Sequence, residues 1–98
     1  MGEAPAAFAL LPAQPNPFNP STAIRFRLAQ TAPVTLAIYD LGGRRLRTLL
    51  EGPLQAAGEQ SVTWDGRDGA GLPLPSGVYF VRLACAGRSA AQKVVLLK

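Results

Sequence analysis

Nine prolines and ten glycines punctuate this 98-residue chain, and no window of about eleven residues places apolar side chains at the i, i+3, i+4 spacing of a helix face. What survives between the breakers is short alternation. Val34, Leu36 and Ile38 alternate with Thr35, Ala37 and Tyr39 until Asp40, Gly42 and Gly43 stop the run, the pattern of a strand entering a tight turn. Both faces of that strand are apolar or small, which suits a central position in a sandwich. The chain is therefore expected to be all-β. With 48% apolar residues it can form a core unaided, burying roughly 60–70% of the surface its unfolded form exposes.

Read in order, Met1–Ala7 is expected to be a linker remnant, and the folded domain to span residues 8–98. Phe8 and Leu10 point inward from a short edge strand. Pro15, Pro17 and Pro20, the last two each preceded by Asn, make a stiff loop that cannot join a ladder, with Phe18 as a plug pinning it to the sandwich. Ile24, Phe26 and Leu28 face the core from the next strand, with Arg25 and Arg27 outward. Thr31-Ala32-Pro33 is expected to turn the chain into the central strand, and Asp40–Gly43 to turn it out again. Arg45–Leu50 then returns with Leu46 inward, and Glu51–Gly58 is read as a connection. Val62 and Trp64 share one face of Gln60–Trp64. After the glycine-rich stretch Asp65–Gly71, Tyr79, Val81, Leu83 and Cys85 alternate along the longest strand, and Val94 and Leu96 close the domain. The expected fold is an antiparallel β-sandwich of about seven main strands plus the short N-terminal one.

Chemistry has few anchors. Histidine is absent, and Cys85, the single cysteine, lies in phase with core residues and has no base beside it. Asp65 and Asp68 are the carboxylates closest in sequence. They could begin a Ca²⁺ site, but the EF-hand spacing and its bidentate Glu are missing, and Asp also caps turns without a metal. No cofactor is expected, and no enzyme. The net charge of +4 comes from eight arginines and two lysines spread over the chain, densest at Arg44, Arg45 and Arg47. No RNA-binding aromatic string, finger or basic helix accompanies them, so a nucleic-acid partner is not expected. Met1–Ala7 lacks the basic and apolar regions of a secretory leader, and no stretch approaches a membrane span.

Five stretches in order carry a resemblance. They are Asn16-Pro17-Phe18-Asn19-Pro20-Ser21-Thr22-Ala23-Ile24, Ile38-Tyr39-Asp40-Leu41-Gly42-Gly43-Arg44, Trp64-Asp65-Gly66-Arg67-Asp68, Ser76-Gly77-Val78-Tyr79-Phe80-Val81-Arg82-Leu83 and Lys93-Val94-Val95-Leu96-Leu97-Lys98. Together they closely resemble the type A C-terminal sorting domain of type IX secretion cargo proteins. The Ig-like domain of the flagellar hook-capping protein shares the Trp-Asp-Gly and Gly-Val-Tyr stretches.

The resemblance covers about Phe8–Lys98 and implies an Ig-like sandwich at the C-terminal end of a larger secreted or cell-surface protein of a Gram-negative bacterium. Its implied partners are the outer-membrane type IX translocon, a surface sortase cutting in or upstream of Met1–Pro12, and an N-terminal cargo domain. The motif positions are Asn16, Pro17, Phe18, Asn19, Pro20, Asp40, Gly43, Arg44, Gly77, Tyr79, Leu83, Lys93 and Leu96. Physically these read as turn, core and closing-strand residues; a recognition role for the last strand comes from the resemblance. The Ala/Arg-rich composition and Cys85 depart from the pattern without disturbing the motifs. The competing expectations are a structural Ig-like spacer and a carbohydrate-binding sandwich using Trp64, Tyr39 or Tyr79.

Overall fold

The computed structural model describes residues 8–98; the expected linker Met1–Ala7 lies outside them. Seven strands are formed among the described residues: β1 (Phe8–Leu10), β2 (Thr22–Leu28), β3 (Ala32–Tyr39), β4 (Arg45–Gln55), β5 (Gly58–Trp64), β6 (Gly77–Cys85) and β7 (Arg88–Leu96). They pair antiparallel into two sheets, β1-β2-β5 and β4-β3-β6-β7. This is an Ig-like β-sandwich in which the fourth strand lies beside the third. Between β5 and β6 the chain makes only an isolated bridge, Arg67 with Pro73.

Alternation sets what each strand buries. Ile24, Phe26 and Leu28 of β2 meet Val34, Leu36 and Ile38 of β3, Val81 and Leu83 of β6, and Val94 and Leu96 of β7 in one core. Strand β3 is hydrogen-bonded on both sides, to β4 and β6, as its two apolar faces suggest. Ala37, on its outer face, is also buried. Cys85 is a buried free thiol among these residues.

Two boundaries differ from expectation. Strand β3 starts at Ala32, so Ala32 and Pro33 are strand and the bend falls at Ala29 and Gln30. Pro33 is tolerated because it lies at the start of the strand, paired with Leu54 of β4 before pairing with β6 begins at Thr35. Strand β4 continues through Glu51–Gln55, where the sequence reads as a connection. Gly52 adopts a φ of 81°, and register shifts between β3 and β4 absorb the irregularity as bulges, letting the strand run on past the Gly-Pro pair.

Removing core volume next to β3 should be expensive. Ile38→Ala is expected to lower the unfolding free energy by about 2–5 kcal/mol. Arg27→Ala, which breaks an exposed ion pair with Glu59, should change it by less than about 1 kcal/mol. Urea midpoints at constant slope check both.

Candidate functional site

The antiparallel register gathers the motif stretches at one pole. Strand β2 begins there and β5 ends there, with Thr22 opposite Trp64; β3 ends there, with Tyr39 opposite Phe80; β6 begins and β7 ends there, with Gly77 opposite Leu96. Leu83 is the exception. It sits farther along the sheet between Leu36 and Ala90, fully buried, as a core residue.

The pole is held by an aromatic stack. Phe18, buried, lies with its ring 5.3 Å from Trp64, and Trp64 meets Tyr79 edge-on at 5.7 Å. Such tilted and edge-to-face pairs add about 0.5–1.5 kcal/mol beyond their area burial. The indole N–H donates to the Arg67 carbonyl at 3.0 Å, and the Tyr79 hydroxyl to the Pro75 carbonyl at 2.6 Å, so both polar tips are satisfied. Gly66 lets the loops close over the stack: at φ 76° a Cβ there would come within 3.0 Å of the Pro20 carbonyl.

The proline-rich loop does more than cover the stack. Strand β7 is the outer strand of its sheet and would present unpaired backbone groups. Asn16 accepts from the Val95 N–H at 2.9 Å and donates to the Lys93 carbonyl at 3.1 Å. Phe18 N–H donates to the Val95 carbonyl at 2.8 Å, and Leu97 N–H to the Phe18 carbonyl at 3.0 Å. Residues 16–18 thus form a short parallel rung on β7, and Gln92 extends the contact by donating to the Leu11 carbonyl at 2.6 Å. Pro15, Pro17 and Pro20 follow cis peptide bonds, and Thr22 holds the loop by donating to the Pro15 carbonyl at 2.7 Å.

The turn after β3 is tied by its own carboxylate. Asp40 Oδ1 accepts from the Gly42 and Arg44 N–H groups, both at 2.9 Å, while Oδ2 faces the Arg44 guanidinium at 3.6 Å. Gly43 takes a φ of 86°, a conformation that strains any residue with a Cβ.

Asp65 and Asp68 tie their loop in the same way. Asp68 Oδ1 accepts from the Ala70 and Leu72 N–H groups at 2.9 and 3.0 Å, and Asp65 Oδ1 from Arg67 N–H at 3.1 Å. Arg47 reaches across from β4 to place a guanidinium nitrogen 2.9 Å from Asp65, where a cation at that oxygen would sit. Burial works to raise the Asp65 pKa, but the Arg47 hydrogen bond and Arg67 N–H outweigh it and hold it below the usual 3.8. Among the described residues no three His, Cys, Asp or Glu side chains cluster as a metal site. The Arg47–Asp65 bridge joins positions 18 apart in the chain and has no local signal in the sequence.

The model of the FlgD Ig-like domain matches residues 15–89. No curated protein matches the sequence. Among solved structures, dimeric latent PorU from Porphyromonas gingivalis aligns with 98% of this chain at a TM-score of 0.77 and 21% identity. PorZ of the same organism, described as an essential bacterial surface component of the type-IX secretion system, aligns with 91% at 0.63 and 22%. FlgD from P. aeruginosa aligns with 78% at 0.61 and 26%. The chain spans 10% of PorU, 11% of PorZ and 60% of the FlgD chain.

Two substitutions probe the pole. Asn16→Ala removes both side-chain bonds to β7 and is expected to cost about 1–2 kcal/mol in urea unfolding. Tyr79 is held above its usual pKa of 10.0, first by burial and then by the charge of Asp40. A value raised on folding contributes stability that is whole below pH 10 and is lost as pH rises through the folded value. Tyr79→Phe should therefore flatten the alkaline decline in Tm, while costing about 1 kcal/mol at neutral pH through the lost hydrogen bond.

Proposed function

This chain belongs to the FlgD Ig-like domain family, and we propose that within it the chain serves as a non-catalytic sorting module. In this reading it is a folded address, attached to a larger cargo protein, that directs the cargo through type IX secretion across the outer membrane to the cell surface of a Gram-negative bacterium. Its partners are the outer-membrane translocon and a surface sortase, and it needs no cofactor. In this reading it does not insert into the membrane.

The observation that carries this reading is the convergence of the motif stretches on one pole, with the last strand bound into it. Residues 16–18, 64–68 and 77–79 meet at the end of β7, whose outer edge is taken up by Asn16 and Phe18, and residues 40–44 lie at the same pole beyond the end of β3. A linear signal would leave its backbone open for pairing. Here a reader would meet a preformed surface, which keeps the ordering cost of binding low. The likeness to PorZ is a likeness of fold and agrees with this reading.

A structural spacer, as an Ig-like domain within a larger assembly, is the second reading, favoured by the family match itself. The carbohydrate reading loses two of its three aromatic platforms, because Trp64 and Tyr79 are buried in the stack, and the hydroxyl of the third, Tyr39, is taken up by Arg45.

Fusing residues 1–98 to the C-terminus of a reporter that already carries an inner-membrane export signal tests the proposal. In a type IX-competent host the reporter should reach the cell surface, and in an isogenic strain without the translocon it should remain periplasmic. Periplasmic retention in both strains would overturn sorting and leave the spacer.

A further inference from the structure

The outer face of the β4-β3-β6-β7 sheet carries charge that the fold does not neutralise. Register places Arg45, Tyr39, Phe80 and Lys93 in one row across the four strands, with Arg82 and Ala91 paired in the row beside it. Arg25, Arg27, Arg44 and Arg47 each pair with a carboxylate; among the described residues Arg45 and Arg82 pair with none.

Both of these arginines turn to neutral oxygens. Arg45 donates from Nε and Nη2 to the Tyr39 hydroxyl at 3.2 and 3.0 Å, and from Nη1 to the Thr48 hydroxyl at 3.4 Å. Its guanidinium carbon stands 5.6 Å from the centre of the Tyr39 ring. Arg82 donates to the Ser89 hydroxyl at 3.3 Å and lies diagonally across the β3–β6 pair from Tyr39. Burial works to raise the Tyr39 pKa, yet the hydrogen bonds and charges of the two arginines hold it below its usual value. Arg45 is thus bonded to this phenol and Arg82 stands near it on the same sheet face, an arrangement that a carboxylate would complete by accepting from both guanidinium groups.

Beside this pair lies an open depression of about 310 Å³ lined by Tyr39, Leu41, Phe80, Arg82 and Ala91, with Leu41 72% exposed. Asp40 and Gly43 complete the lining, and the Asp40 carboxylate is already engaged by backbone N–H groups of its own turn. Acid-binding charge and apolar surface are thus side by side.

We propose that this face docks an acidic segment of a protein partner, with a carboxylate between Arg45 and Arg82 and a neighbouring bulky apolar side chain in the depression. Charge complementarity selects this occupant: Arg45, Arg82 and Lys93, none of them paired with a carboxylate among the described residues, set three cations at or beside an apolar hollow. A nucleic-acid strand would call for a longer basic track. A lipid surface would call for apolar groups that protrude, whereas this hollow receives one. The proposal stands on the charges and shape of the face and is independent of the sorting reading.

The test is a ¹⁵N NMR titration of the full chain with a synthetic peptide carrying one Phe flanked by two Asp on each side. A peptide with Lys in place of Asp serves as control. The acidic peptide should shift the amides of Tyr39, Phe80, Arg82 and Ala91 in a saturable manner that weakens with added salt. Arg45→Glu with Arg82→Glu should weaken binding at least about tenfold. These exposed sites should leave the melting temperature unchanged. Arg45→Lys with Arg82→Lys, which keeps the charge and loses the fork, should retain a weakened interaction. Equal binding of the lysine peptide, equal binding by the Glu double variant, or shifts scattered over the other arginines would overturn the proposal. So would sedimentation of the chain with phosphatidylglycerol vesicles while the acidic peptide leaves the spectrum unmoved, which would assign the face to lipid.

Discussion

The outer edge of β7 would be an open row of backbone groups, and the rung laid along it by Asn16 and Phe18 covers it. An edge strand is held by one neighbour and exposes its other row of N–H and C=O groups. Here the Lys93 and Val95 carbonyls and the Val95 and Leu97 N–H groups all find partners in a loop from the far end of the chain. Each such bond contributes only about 0.5–1.5 kcal/mol net. More stabilisation comes from the side chain that the rung positions. Phe18 is completely buried against Trp64, on the scale of the 3–5 kcal/mol that a core phenylalanine loses on truncation to Ala. The hydrogen bonds set the register, and the ring supplies most of the energy.

From that contact the pole follows. With Phe18 seated, Trp64 is clamped between it and Tyr79, and Gly66 lets the Asp65–Gly71 loop close over the group. Asp40 then serves two surfaces. Its carboxylate shapes the β3–β4 turn inside the pole, and the same turn carries Tyr39 and Leu41 onto the outer sheet face, where Arg45 and Arg82 converge. A turn that reads as punctuation thus joins the aromatic pole to the charged outer face of the larger sheet. A preorganised surface of this kind binds without first ordering itself.

Much of this was legible in the residues because alternation directly reports burial. The inward sets of β2, β3, β6 and β7 are buried as their pattern requires, and an isolated Phe among prolines had no role except as a plug. The second half of β4 was not legible. Gly52 followed by Pro53 has the chemistry of a breaker, and only bulged pairing with β3 keeps that segment in the sheet. Nor could the latch be read. Phe18 and Leu96 form a bridge across 78 positions, and no local periodicity encodes which edge a rigid loop will cover. The charged face stayed hidden for a related reason. Arg45 and Arg82 become neighbours of one phenol only through the register of three strands, and in sequence they are two among eight scattered arginines.

Amide hydrogen exchange in the intact chain measures the latch most directly. Val95 and Leu97 N–H point away from β6, and among the described residues Asn16 and Phe18 are the groups that protect them. They are predicted to exchange as slowly as the amides of the β3–β6 ladder, because opening them requires unseating Phe18 from the core. Exchange at the rate of an unpaired edge, orders of magnitude faster than that ladder, would contradict the account, since the pole would then be held by something other than the loop.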